Sequence, residues 1–332
     1  MGGEFVRDDI GVLWAYQLFP DEPAQALDPD AARRWLDNPE AEGFVWLHLN
    51  LANNGALPWL KGAAEVPDAF DEALSSGSRS TRIERDEDAL IGVVNDVSFD
   101  FAFEPMDTAT LWVLADRRFL VTCRRQPLRS VDKLRSAVKA GLPFRSSVDL
   151  LAHLMRDQAD VLIDIVRKVS DRVDDVEDEL LAGRLETKRV RLGKLRRLLL
   201  RLQRLLAPEP GSLFRLLQHP PAWMAEGDIQ ELRQSTEEFS VALRDISSLQ
   251  ERIKLLQEEI AAQVAESNGK TLFALTVVTV LALPVNMTAG LFGMNVGGIP
   301  FAEGKHGFAL VSGLVVGLTA LLAWLAFRDR DR

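Results

Sequence analysis

The sequence is poor in cysteine and histidine, which supply sulfur and nitrogen to metal sites and nucleophiles to enzymes. Cys123 is the single cysteine in 332 residues, so a disulfide within one chain and any multi-cysteine metal site are excluded. The histidines show no ligand spacing; they are His48, His153, His219 and His306. Neither a nucleophile with its base nor a phosphate-binding loop is recognisable. We predict that the chain is not an enzyme and carries no covalently bound cofactor.

Net positive charge is also lacking. The chain has 39 Lys and Arg against 49 Asp and Glu, a net charge of -10, which argues against a nucleic-acid partner. Residues 1–9 lack the basic and apolar segments of a signal peptide. We therefore expect the N-terminal part to lie in the cytoplasm, where a lone cysteine stays reduced.

Charge is absent altogether from two segments near the C-terminus. Residues 271–292 form an uncharged run of 22 residues and residues 308–327 one of 20. At about 1.5 Å per residue, each helix would cross a hydrocarbon layer of about 30 Å. We predict two transmembrane helices, joined by an external loop at 293–307.

The distribution of arginine and lysine predicts the orientation of these helices. Arg328, Arg330 and Arg332 follow the second span, whereas the loop holds only Lys305 as a fixed positive charge. Positive residues favour the cytoplasmic side. We expect a multi-pass protein of the inner (cytoplasmic) membrane, with a cytoplasmic tail at 328–332 and the N-terminus on the same side.

The first 145 residues have the composition of a mixed α/β cytoplasmic domain. Strands are predicted from runs rich in Val, Ile, Leu, Phe and Trp at 12–18, 44–49, 89–98 and 110–124. The last run is predicted to be a hairpin that turns at Asp116-Arg117. Helical composition is found at 30–37 and 67–75.

Residues 146–226 are predicted to form a helical hairpin with a connector. Apolar residues recur at spacings of three and four between 147 and 206, and Gly183 marks the expected bend. The first arm ends in acidic residues and the second is basic, which predicts charge pairing between the antiparallel arms. A nucleic-acid patch on the basic arm is the alternative, which the absence of interleaved aromatic residues disfavours.

Residues 227–270 are predicted to form a long stalk helix that continues into the first span. Apolar residues recur there at steps of three, four and seven, the pattern of a helix packed against other helices. They are Leu232, Phe239, Leu243, Ile246, Leu249, Ile253, Leu256 and Ile260.

Polar residues of the first span fall within one sector of a helical wheel. Thr276, Thr279 and Asn286 share this sector with Leu272, Leu283 and Gly290. Threonine alone is weak evidence because it often serves packing, but a carboxamide is costly in lipid. We interpret the sector as a pore face that offers oxygen atoms to a hydrated cation. Two spans cannot enclose a path, so several copies must share the pore.

The first span ends in Gly293-Met294-Asn295, and the sequence continues Val296-Gly297-Gly298-Ile299-Pro300. With the preceding architecture, this string resembles the CorA family of divalent-cation transporters, in particular its ZntB zinc-transporter branch. The resemblance implies a homopentamer in the lipid bilayer, with a funnel-shaped cytoplasmic part and the first spans around the pore.

The same resemblance implies roles for individual residues. Asn295, with Gly293 and Met294, would hold a hydrated metal ion at the outer mouth, and Asn286 would form a second polar ring. Leu283 and Leu272 would be apolar constrictions, with Thr279 between them. The acidic residue that follows this stretch in magnesium-type members is replaced by glycine, and Glu303 is only a partial substitute.

These observations predict a transporter of divalent metal ions, with zinc as the expected ion. A magnesium or cobalt channel of the same architecture is one alternative. A membrane-anchored receptor or scaffold without transport is another, against which the polar residues of the first span argue. Neither span contains an acid or a base that would mark a proton carrier.

Overall fold

The computed structural model describes residues 10–77, 80–100, 108–181, 188–294, 300 and 306–328. They form two compact units, Met1–Leu256 and Gln257–Arg332. The first unit contains one seven-stranded sheet. Its strands, β1 to β7, are Val12–Leu18, Gln25–Leu27, Phe44–Asn50, Arg82–Asp86, Ala89–Val97, Thr108–Ala115 and Phe119–Arg124.

Nine helices are found in the described residues. Helices α1 to α9 are Pro29–Asp37, Ala56–Ala63, Asp68–Ser75, Arg129–Lys139, Ser147–Leu181, Lys188–Leu206, Pro208–Leu216, Glu226–Phe292 and Gly307–Arg328. The start of α5 shows how local chemistry fixes a boundary. The Ser146 hydroxyl accepts from the Asp149 N–H at 2.9 Å, and the Asp149 carboxylate accepts from the Arg145 N–H at 3.0 Å. The first bond satisfies an N–H group of the first helical turn, and the second fixes the chain just before the helix.

The sheet order is β2-β1-β3-β7-β6-β5-β4, so β2 and β4 lie at its edges. All neighbours pair antiparallel except β3 and β7, which are parallel. The hairpin predicted at Asp116-Arg117 is confirmed as β6 and β7. Asp116 stabilises its turn by accepting from the Arg118 and Phe119 N–H groups, each at 2.7 Å.

Hydrophobic cores lie on both faces of the sheet. One contains residues of α1, α2 and α3, including Leu60 and Phe70. The other contains residues of α4, α5 and α7, including Leu134, Leu151 and Leu213. The expected α/β fold of this part of the chain is therefore confirmed as a mixed sheet between two helical layers.

His48 lies in the sheet and is fully buried in a hydrogen-bonded cluster. Its Nε2 accepts from Arg124 Nε at 2.9 Å, so the remaining proton is on Nδ1, which contacts Thr122 Oγ1 at 2.8 Å. Burial, together with the charges of Arg124 and Arg135, lowers the pKa of His48 well below its ordinary value. The imidazole is therefore neutral and structural, as its lack of ligand spacing indicates.

The acidic arm of the hairpin pairs both with the basic arm and with a third helix. An ion pair joins Glu179 of α5 to Arg191 of α6 at 3.6 Å. Asp174 and Glu177 instead bind Arg252 of α8, with 2.6 Å between Asp174 and the guanidinium. Part of the acidic arm therefore pairs with the third helix, in addition to the ion pair between the two arms. The predicted bend residue, Gly183, lies outside the described residues.

The apolar seam of α8 faces the helical hairpin. Of the predicted positions up to Leu256, all except the half-buried Leu243 are buried. Polar contacts beside the seam join α8 to α6: Gln203 Nε2 donates to Ser247 at 2.7 Å, and Gln250 Nε2 donates to Gln203 at 3.0 Å. Because a single chain already covers the seam, it belongs to the chain's own core and is not free to bind a second copy.

We expect Leu249→Asp to destabilise the folded chain strongly. Leu249 is only 7% exposed, so aspartate would bury an unpaired charge at a cost on the order of 3–5 kcal/mol. Leu255→Asp is the matched control, because Leu255 lies on the same helix and is 56% exposed. Thermal unfolding followed by tryptophan fluorescence should show a lower midpoint for the first variant only. Equal midpoints would mean that the seam does not stabilise the fold.

Two carboxyl groups are buried where β5, α5 and α7 meet. Burial, and then the charge of Asp96, raises the pKa of Glu209 well above its ordinary value. Burial also raises the pKa of Asp96 to about 6, against the opposing hydrogen bonds from Ser130 and Val97. Gln158 Nε2 donates to Glu209 Oε2 at 3.3 Å, but Glu209 Oε1 has no partner in the part of the chain that the structure describes. Ionisation of this pair therefore opposes folding.

We expect Glu209→Gln to reduce the loss of stability as the pH rises. A folded-state pKa above the unfolded value means that the stabilising effect of the carboxyl proton is complete below about pH 4.3. It is lost above that pH at up to about 1.4 kcal/mol per pH unit until the folded-state pKa is reached. Unfolding should be measured between pH 4 and 8, with the exposed Glu40→Gln as the control. Parallel pH profiles of Glu209→Gln and the parent would contradict the assignment.

Candidate functional site

The candidate site lies on the C-terminal part of α8. Among the described residues, two helices are long and apolar enough to cross a membrane, α8 and the segment Gly307–Ala326 of α9, and their most apolar stretches are not buried within the chain. The chain therefore exposes two apolar helical surfaces that water would solvate poorly. Length and composition match the two predicted transmembrane helices.

Each of these helices has one half-buried face. On α8 this face is a stripe of residues that follow one another at steps of three or four. They are Phe273, Val277, Leu281, Pro284 and Thr288. On α9 the stripe consists of Val311, Val315, Thr319, Leu322 and Ala326. Such spacing is that of a helix face with a helical neighbour. These stripes are the sides of the two helices that the chain itself partly covers.

The predicted polar sector lies on a different side of α8. All six of its residues are exposed: Leu272, Thr276, Thr279, Leu283, Asn286 and Gly290. At about 100° per residue, the sector is centred roughly 140° around the helix from the half-buried stripe. The structure thus brings the predicted residues together on one face, which the other described residues leave uncovered.

The threonines of this face use their protons within the helix. Thr276 Oγ1 donates to the Leu272 carbonyl and Thr279 Oγ1 to the Leu275 carbonyl, each at 2.8 Å. A hydroxyl that donates to the preceding turn keeps its lone pairs free. The face therefore presents hydroxyl oxygens as acceptors, which can bind water around a cation or the cation itself.

The carboxamide of Asn286 has no hydrogen-bond partner within the described residues. Pro284 lies two residues before Asn286 in the same helix and lacks an N–H, so the Val280 carbonyl loses its helical donor. An unpaired amide and carbonyl are costly in hydrocarbon but favourable where they meet water, an ion or another helix. This part of α8 requires a polar neighbour that the described chain does not supply.

The end of α8 contains two of the predicted metal-site residues. The Gly293 N–H donates to the Ala289 carbonyl at 2.9 Å, and a Cβ at Gly293 would lie 2.7 Å from that oxygen. Glycine is therefore needed where the helix closes. Met294 is exposed, whereas Asn295 and the following residues to Ile299, like Glu303, lie outside the described residues.

Sequence reasoning missed one polar group of α9. The Thr319 hydroxyl is buried and has no partner in the described segments. A single threonine in an otherwise apolar span gave no signal, because threonine in membrane helices is often only a packing residue. Metal ligands are not clustered elsewhere, since the described residues contain no group of three His, Cys, Asp or Glu that could hold a metal ion.

These features define a class of membrane protein, with an α/β domain, a long helix and two apolar C-terminal helices, the first with an uncovered polar face. A family model described as CorA-like Mg2+ transporter protein matches residues 41–328. The chain belongs to the CorA family. Because this is a family of transporters, the prediction that the chain is not an enzyme is confirmed.

The chain is similar along most of its length to named members of the family. The divalent cation transporter CmaX of Pseudomonas aeruginosa is 30% identical over 86% of this chain and 87% of that protein. The zinc transport protein ZntB of Yersinia enterocolitica is 25% identical over 94% of this chain and 93% of that protein. The structure of full-length CmaX has a TM-score of 0.81 at 26% identity and covers 98% of this chain and 99% of that one. The fold class predicted from the sequence is thereby confirmed.

Proposed function

We propose that this chain is one subunit of a homopentameric transporter that moves zinc across the inner membrane through a shared central pore. The observation that carries the proposal is the uncovered polar face of α8, with Thr276, Thr279 and Asn286 on one side of an apolar helix. Equivalent faces around an axis would enclose a polar path that a single chain cannot form.

In this proposal each part of the chain has a defined place. Residues 271–292 and 308–327 cross the membrane, 293–307 form the external loop, and the two termini lie in the cytoplasm. Asn295, with Gly293 and Met294, holds a hydrated ion at the outer mouth. Gly290 lines the pore between the rings of Asn295 and Asn286, and Leu283 and Leu272 form apolar constrictions further along the path.

The chemistry of the lining indicates how an ion passes. The proposed face from Leu272 to Asn295 offers hydroxyl, amide and carbonyl oxygens, whereas a tight zinc site prefers imidazole and thiolate. Zinc therefore passes with much of its hydration shell, and discrimination against other divalent ions is modest. A potential of about 100 mV, negative inside, supplies roughly 4.6 kcal/mol for the entry of a divalent ion, twice the value per unit charge.

Zinc is supported by the resemblance of Gly293 to Pro300 to the ZntB branch and by the similarity to ZntB proteins. The similarity to CmaX, named for divalent cations in general, keeps a magnesium or cobalt channel as the second candidate. A receptor without transport is disfavoured because a pure anchor needs no Asn286 within its apolar surface.

Flux into liposomes tests the proposal. Purified protein should admit zinc to vesicles that contain a zinc-sensitive dye, and cobalt or nickel should compete. Vesicles without protein and vesicles offered magnesium alone are the controls. If magnesium enters the vesicles but zinc neither enters nor blocks, the proposed ion is magnesium and not zinc. If no divalent ion enters the vesicles, the proposal that this chain is a transporter is wrong.

A further inference from the structure

The outer face of α5 carries a row of acidic residues near the end of the helix. Asp171, Asp175 and Asp178 are exposed, and none of them has an ion-pair partner among the described residues. They are spaced by four and three residues, so they lie on one face of the helix. Val173 and Val176, which are buried, point to the opposite side. We name these three aspartates the acidic stripe.

The outer face of α6 carries a row of basic residues. Lys194, Arg197 and Arg204 are exposed and likewise have no ion-pair partner in the described part of the chain. They lie opposite the buried residues Leu195 and Leu202 on the helix. We name these three residues the basic stripe. Unlike the carboxylates bound to Arg252, neither stripe is neutralised within the described chain.

The two stripes overlap in height along the hairpin. The ion pair between Glu179 and Arg191 sets the level at which the antiparallel helices pass each other. One turn further from the loop on each helix, Asp175 is level with Lys194. The next turn brings Asp171 level with the segment just after Arg197. One subunit therefore presents opposite charges, at one level, on two different helices.

We propose that the acidic stripe of one copy docks against the basic stripe of the next copy in the ring. The inference rests on the proposed homo-oligomer, whose cyclic symmetry repeats every residue at the same height around the axis. Two different faces of the same chain can then meet at each interface. The ring closes when the last copy meets the first. The charge match between stripes at the same level is what selects a second copy as the partner.

Other partners fit the charges less well. An anionic lipid surface or a nucleic acid would neutralise only the basic stripe, and the net charge of -10 would repel it. A second copy of the chain satisfies both stripes together, and the contact should weaken at high salt because the groups are exposed.

Cross-linking between differently tagged chains tests the contact. Asp175→Cys in one chain and Lys194→Cys in another should give a covalent heterodimer with a short bis-maleimide after co-expression. Cys123 is buried, so each chain exposes only its introduced thiol. The control mixes Asp175→Cys with Asp21→Cys, an exposed residue at a site outside both stripes, and should give no heterodimer.

Charge exchange provides an independent readout. Lysine at all three acidic positions should lower the salt concentration at which the oligomer dissociates, and so should glutamate at Lys194, Arg197 and Arg204. Combining both sets of substitutions should restore the salt concentration at which the oligomer dissociates, because the two stripes then meet with their charges exchanged. Lysine at Asp21, Glu22 and Glu40 makes the same change of charge on exposed residues outside the stripes and should have no effect.

The outcomes separate this inference from the proposed function. An intact oligomer by mass measurement that yields no heterodimer and no restoration would overturn the stripe contact and leave the shared pore standing. A monomer by mass would overturn the shared pore and the contact together. Protection of Lys194→Cys from maleimide by anionic vesicles, but not by assembly, would assign the basic stripe to lipid and also overturn the contact.

Discussion

Asn286→Leu should reduce the zinc flux of liposomes roughly tenfold or more, the change that about 1.4 kcal/mol in a barrier produces. Leucine has a similar size but no amide, so each copy would replace a polar group of the path by an apolar one. A hydrated ion would then lose a set of oxygen partners in a region where water is scarce. Flux should be measured at equal protein content in each vesicle preparation.

The matched control for this change is Met287→Leu. Met287 is the next residue along α8 and is exposed, but it lies outside the polar sector. Its flux should equal that of the parent chain. If Asn286→Leu transports as well as the control does, Asn286 lies against lipid or a neighbouring helix and the polar face is not the path.

Asn295→Ala should abolish flux or nearly abolish it while the oligomer stays intact. In the proposed pore this residue presents its amide oxygen to the ion before any water has been lost, so every ion that enters depends on it. Alanine removes the amide oxygen and leaves only a small apolar side chain. Zinc-dependent dye quenching in liposomes, with the oligomeric mass of the same preparation, measures both effects.

His306→Ala provides the comparison at the same end of the span. His306 is exposed near the start of α9, where a solvated histidine could be mistaken for a zinc ligand. We expect unchanged flux, since a lone exposed imidazole is not a site. If His306→Ala loses flux and Asn295→Ala retains it, His306 and not Asn295 binds the ion.

The sequence predicts the inner strands of the sheet well because buried strands are rich in apolar residues. The strands predicted at 12–18 and 89–98 agree with β1 and β5, whose residues are mostly buried. It misses β4, whose sequence RIERD is charged, and the three-residue β2. Such strands form because a neighbour offers hydrogen bonds, which local sequence does not reveal. The parallel pairing of β3 with β7 is a tertiary property for the same reason.

The helix α7 was not predicted within the connector, because proline usually interrupts a helix. Pro208 and Pro210 lie in the first turn of α7, where a helix has N–H groups without internal partners. Proline there costs no hydrogen bond, so the segment is helical up to Leu216. The helix α4 was missed although Val131, Leu134 and Val138 recur at steps of three and four on its buried side. Its many charges concealed that pattern.

The grouping of the candidate pore residues could be predicted because an α-helix has a fixed period. Thr276, Thr279 and Asn286 fall in one sector whatever surrounds the helix. The sequence does not predict which side of α8 the chain covers, because that depends on partners in space. It also does not predict that Arg252 binds Glu177, because the two residues are 75 positions apart along the chain.

The two edge strands of the sheet restrict how copies of the chain can associate. An open edge can add a strand from another molecule and so lead to uncontrolled aggregation. Here β2 offers only three residues, and β4 carries charges of both signs at Arg82, Glu84, Arg85 and Asp86. Strand addition is therefore disfavoured at either edge. Even at the high local concentration of a crowded membrane surface, neighbouring molecules would be kept from joining their sheets into a continuous β-structure.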